Sequence, residues 1–83
     1  MIADKKSLMQ GWIKAESSNI HKYKYQRTKK LLHVCFNSNV HATYSYEGVP
    51  LSVYLYFHQS DEKGRYFASH IKERFTHTKK IKG

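Results

Sequence analysis

Hydrophobic and polar residues alternate singly through the middle of the chain and recur at three- and four-residue steps after it. Over residues 20–26, His21, Tyr23 and Tyr25 share one side and Lys22 and Lys24 the other. Over residues 31–36, Leu32, Val34 and Phe36 alternate with His33 and Cys35. Over residues 40–46, Val40, Ala42, Tyr44 and Tyr46 alternate with His41, Thr43 and Ser45. A period of two with aromatic and β-branched side chains predicts half-buried antiparallel strands. Asn37-Ser38-Asn39 suits the turn of a hairpin, with Phe36 facing Val40 and Leu32 facing Tyr44.

Helical spacing brackets this region. Residues 3–15 place Leu8, Met9, Trp12 and Ile13 on one side of a helix, with Lys6, Gln10 and Lys14 opposite and Asp4 as a cap. Gly11 costs such a helix about 1 kcal/mol against Ala. After Gly48-Val49-Pro50, Val53, Tyr54 and Phe57 recur at helical steps, and proline favours a first turn. Ser60, Asp61 and Glu62 read as cap and acidic first turn of a further helix carrying Phe67, Ile71 and Phe75 at i, i+4 and i+8. Residues 77–83 read as a basic tail. The expected fold is α+β: a three-stranded antiparallel meander with two C-terminal helices on one face, plus an N-terminal helical extension.

Several of these residues also form an ordered set. Ser17-Ser18-Asn19-Ile20 is followed by Tyr25, Leu32-x-Val34-x-Phe36, Tyr44-x-Tyr46 and Val49-Pro50-x-x-Val53-Tyr54, then Gly64-Arg65-Tyr66-Phe67, Ile71 and Phe75. The set resembles the KTSC domain, a short module at the C-terminus of some lysyl-tRNA synthetases that also stands alone in small bacterial and phage proteins. The resemblance divides the chain into an amphipathic extension (1–16), a KTSC-like domain (17–76) and a basic tail (77–83). It implies no reaction. Attachment to a synthetase suggests contact with RNA.

Composition narrows the classes of function. Eighty-three residues make one small domain. Lys and Arg number 15 against 6 Asp and Glu, a net charge of +9, which attracts polyanions. The basic residues avoid residues 31–62 and flank the strand-forming centre. One Cys excludes an intrachain disulfide framework, and no apolar run approaches the ~18 residues of a membrane span. The expected location is the cytoplasm of a bacterium or of a phage-infected host, with no membrane partner.

Candidate chemistry is sparse. The tyrosines fall on the same sheet side as Leu32, Val34 and Phe36, so they read as core. The other side offers Lys22, Lys24, His33, Thr43 and Ser45 with no aromatic ring, which predicts phosphate contact without base stacking. His33, Cys35 and His41 are ligand types, but their spacing matches no metal motif and no metal or other cofactor is expected. The histidine pair His33 and His41 could serve acid–base cleavage of RNA, yet no phosphate loop accompanies it, and no catalytic residue or enzymatic activity is expected.

The leading expectation is a non-catalytic nucleic-acid-binding module, RNA ahead of DNA. Its contacts would come from Lys22, Lys24, Arg27, Lys29, Lys30, Arg65, Lys72 and Arg74. The alternative is a protein-interaction module, such as a phage factor that binds and inhibits a host protein. There Leu8, Met9, Trp12 and Ile13 would form the contact face, which could also pair two copies of the chain.

Overall fold

The computed structural model describes residues 11–81. Strands β1 (Ile13–Lys14), β2 (Ile20–Gln26), β3 (Leu31–Phe36) and β4 (Asn39–Tyr46) precede helices α1 (Leu51–Gln59) and α2 (Lys63–His70), and strand β5 (His77–Ile81) follows. The strands form one antiparallel sheet in the order β1-β2-β3-β4-β5. The expected three-stranded meander with two C-terminal helices is corrected to a five-stranded sheet whose last strand follows the two helices.

Both added strands are short or polar edges. Ile13 pairs with Tyr23 and Lys14 with Lys22, so the segment expected to end an N-terminal helix is strand. Gly11 explains part of the change: its φ of +77° is incompatible with a right-handed helix. Leu8 and Met9, the rest of that expected helix face, lie outside the described residues. At the other end, the segment read as a tail pairs along β4, from Ala42 opposite Ile81 to Tyr46 opposite His77. All five β5 residues are exposed, so there is no apolar alternation to betray the strand.

The helices cover one face. Ile20, Tyr23, Leu32, Val34 and Tyr46 are buried in one core with Val49, Phe57, Phe67 and Ile71. Ring contacts knit the layers together: Phe67 lies 5.4 Å from Phe36 and 5.1 Å from Tyr46, both edge-on, and Phe57 lies 4.9 Å from Tyr23. Helix α2 ends at His70, and a further turn brings back Ile71, which is buried, and Phe75, which packs partly buried against the core. The acidic first turn expected at Asp61 and Glu62 is not used: Glu62 is the cap position, and Ser60 Oγ accepts its backbone N–H at 3.1 Å.

Two irregularities change the expected register. A bulge between Ile20 and Lys22 sets Ile20 into the core in place of His21. Between Val34 and Phe36 the pairing jumps, so Phe36 faces Asn39, Val34 faces Tyr44 and Leu32 faces Tyr46. Val40 is consequently exposed. The register moves, but Leu32, Tyr44 and Tyr46 keep the expected side.

The loop before β2 is fixed by its own polar groups. Ser17 Oγ accepts the backbone N–H groups of Asn19 and Ile20 at 3.1 and 3.2 Å, and Asn37 Nδ2 donates to the Ser17 carbonyl. Helix α2 begins against this loop. A Cβ at Gly64 would stand 3.2 Å from Asn19 Cβ, so glycine permits the close approach.

Phe67 touches both layers, which makes it the most informative truncation. Phe67→Ala is expected to lose about 3–5 kcal/mol, a large part of the stability of so small a domain. Urea unfolding checks this, and a loss below about 1 kcal/mol would contradict the helix-on-sheet core.

Candidate nucleic-acid interface

Covering one side of a pleated sheet turns every alternate residue of each strand to the opposite side. On that outer face β2 presents Lys22 and Lys24, β3 His33, β4 Thr43 and Ser45, and β5 Thr78 and Lys80. Lys14 joins them opposite Lys22. An open groove of about 920 Å³ runs over this surface, its walls including Trp12, Lys24, Lys29, His33 and Lys80. Among the described residues, Glu47 is the one acid lining it.

Trp12 corrects the expectation of an outer face without aromatic rings. The strand geometry of β1 puts it on the lysine side, while Ile13, its expected neighbour on a helix face, points with Tyr23 to the other side. The Lys22 and Lys24 ammonium groups lie 4.6 and 5.1 Å from the indole centroid, and the His33 ring lies 6.4 Å away. Residues 11–15 fit a period of 3.6 and a period of two alike, and pairing with β2 selects the second.

The eight basic residues expected to act together are divided between two sides. Lys22, Lys24 and Lys29 belong to the outer face. Arg27 and Lys30 lie in the turn between β2 and β3, where Lys30 adopts a positive φ of 54° and its carbonyl accepts the Val49 N–H. Arg65, Lys72 and Arg74 belong to the helix layer. Arg65 pairs there with Glu62 at 3.2 Å, the one ion pair among the described residues. Lys72 lines a separate aromatic cleft with Glu73, Phe36, Tyr44 and His77. The outer face instead recruits Lys14 and Lys80. Lys80 was visible as charge but not as a sheet residue.

His33 lines the groove in a fixed orientation. Its Nε2–H donates to Gln26 Oε1 at 2.9 Å, and Nδ1 accepts the Ser45 hydroxyl at 2.7 Å. Burial, and then the Lys24 charge, hold its pKa below the ordinary value. Cys35 is buried with Sγ 3.5 Å from Thr43 Oγ1. The jump in pairing after Val34 breaks the register in which Phe36 faces Val40, and with it the alignment of Cys35 with His41 that this register implies. No group of three or more His, Cys, Asp or Glu among the described residues could hold a metal ion.

On the helix side the tyrosines serve packing. The Tyr23 hydroxyl and His58 Nδ1 share a hydrogen bond at 2.7 Å, and burial pushes the Tyr23 pKa up to about 12. Tyr25 donates to the Val49 carbonyl at 2.6 Å and stacks on Tyr54 at 4.3 Å. No described helix is long and apolar enough to cross a membrane.

The architecture is thus a two-layer α+β domain with an open, lysine-rich sheet face. A sequence model of the KTSC domain matches residues 16–75, and the chain belongs to that family. A crystal structure of a KTSC domain protein from Yersinia pestis is similar at 29% identity and a TM-score of 0.74, over 87% of this chain and 96% of that one. No curated protein matches the chain.

The depressed His33 pKa has a consequence for stability. Between the folded value and the ordinary 6.5, the unfolded chain binds more protons than the folded one. The His33 contribution is therefore complete above pH 6.5 and is lost as pH falls toward the folded value. Melting temperatures followed from about pH 7.5 to pH 5 should fall more steeply for the wild type than for His33→Gln. Equal slopes would show that His33 titrates at its ordinary value.

Proposed function

We propose that the domain is a non-catalytic nucleic-acid-binding module, RNA ahead of DNA, acting in the cytoplasm of a bacterium or of a phage-infected host. The observation that carries this reading is the gathering of Lys14, Lys22, Lys24, Lys29 and Lys80 on the open sheet face, with Glu47 the one acid lining its groove among the described residues. Such a face attracts phosphates through counterion release and positions a backbone without reading sequence. The family's presence on lysyl-tRNA synthetases supports RNA. The non-catalytic reading is supported by His33, whose two nitrogens are both engaged by protein groups.

A second reading, a protein-interaction module such as a phage factor acting on a host protein, draws on a different surface. Helix α1 carries no Asp, Glu, Lys or Arg and exposes Leu51, Leu55 and Tyr56. Trp12 serves that reading less well than the sequence suggested, because it is already engaged with Lys22 and Lys24 of its own chain.

Affinity for RNA should fall steeply with salt, with a logarithmic slope of about −0.7 per neutralised phosphate on a single strand. Lys22→Glu with Lys24→Glu should weaken binding by roughly tenfold or more and flatten that slope. Lys72→Glu with Arg74→Glu, on the helix side, should change affinity far less. Fluorescence anisotropy across a salt series measures both pairs. No binding at low salt, or equal losses from the two pairs, would overturn the assignment to the outer face, and capture of one host protein would favour the second reading.

A further inference from the structure

Trp12 is the single tryptophan of the chain, and it stands in the lysine-rich groove. It is only half-buried, so one of the largest apolar side chains available is kept out of the core and partly open to solvent. Its position is built by the backbone. Pairing of Ile13 with Tyr23 and of Lys14 with Lys22 fixes the strand from which it projects. Gly11, at φ +77°, brings the chain down onto Lys24, where a Cβ would stand 2.6 Å from Lys24 Cδ. A bulkier residue at position 11 would push the Lys24 stem aside and disturb the indole above it.

The surroundings of the ring matter as much as the ring. Lys22 and Lys24 place their ammonium groups 4.6 and 5.1 Å from the indole centroid. An indole among lysines, in an open groove, is the combination that holds single strands: bases stack on the ring and cations track the backbone. A duplex offers the phosphates but keeps its base faces stacked inside. An exposed cation–π contact is weaker than a base–aromatic stack, so a base can take the indole while the two lysines turn to flanking phosphates.

We propose that Trp12 is a base-stacking platform and that the preferred ligand of the outer face is a single-stranded polynucleotide. The proposal rests on the reading of that face as the nucleic-acid surface and adds a selection against duplex. Stacking is tolerant of base identity, so the preference is for strandedness and not for sequence.

Because Trp12 is the only tryptophan, intrinsic fluorescence reports on it alone. The probes are an oligouridylate of about ten nucleotides and an RNA hairpin duplex with the same number of phosphates. Addition of the single strand should quench the indole in proportion to binding. Trp12→Ala should lower single-strand affinity by roughly tenfold while duplex affinity stays within about twofold, and Trp12→Phe should retain most of the single-strand affinity. Circular dichroism of the two variants checks that the fold persists. Single-strand binding without quenching, together with undiminished affinity in Trp12→Ala, would overturn the stacking role and leave the phosphate reading standing. Equal losses on both probes would make Trp12 a structural residue and overturn it as well. Failure of the wild type to bind either probe at low salt would overturn both readings.

Discussion

Among the described residues, two helices of nine and eight residues shield one face of a five-stranded sheet. Everything else in the domain follows from which face they take. Phe57 and Phe67 close over Tyr23, Phe36 and Tyr46, and these rings carry much of the burial in a chain too small for a deep core. Once that side is committed, strand alternation sends Lys22, Lys24, His33, Ser45 and Lys80 to the other. The open lysine face is the mandatory complement of the aromatic core. A one-residue slip in a strand would exchange the two sides, so packing and surface charge are specified together.

This coupling explains what could be read from the sequence. Most of β2 and β3 is legible because Tyr23, Leu32 and Val34 alternate with charged or polar neighbours, and the sidedness of Tyr44 and Tyr46 follows. The edges were not legible. β5 reads His-Thr-Lys-Lys-Ile and buries nothing, since its pairing rests on backbone hydrogen bonds to β4 that leave no hydrophobic trace. β1 is two residues long, too short for a period, and its neighbours Trp12 and Ile13 fit a helical stripe equally well. Gly11 was the available warning. The bulge at His21 and the jump after Val34 add residues that an alternating pattern cannot locate, which is why Ile20 and Val40 exchanged their expected environments.

The residues behind the family resemblance turn out to be architectural. Ser17 and Asn19 shape the loop on which Gly64 rests, Tyr25 ties β2 to Val49, and Tyr46, Phe67 and Ile71 are core. A signature made of packing groups identifies a fold well and a function poorly. The groups proposed here to touch a ligand lie mostly on alternate positions between them or on the edge strands, and Trp12, Lys14 and Lys80 fall outside residues 16–75 altogether. The candidate site was therefore only partly visible: Lys22, Lys24 and Lys29 could be named from charge, whereas the tryptophan beside them required β1 to be placed.

We propose that ligand meets the sheet on the side opposite the helices. Amide and indole chemical shifts followed by NMR during titration with an oligouridylate map that contact residue by residue. The shifts should concentrate on Trp12, Lys22, Lys24, His33, Ser45 and Lys80, while Leu51, Leu55, Tyr56 and the rest of α1 and α2 stay still. Shifts centred on the helices, with the lysine face silent, would contradict it.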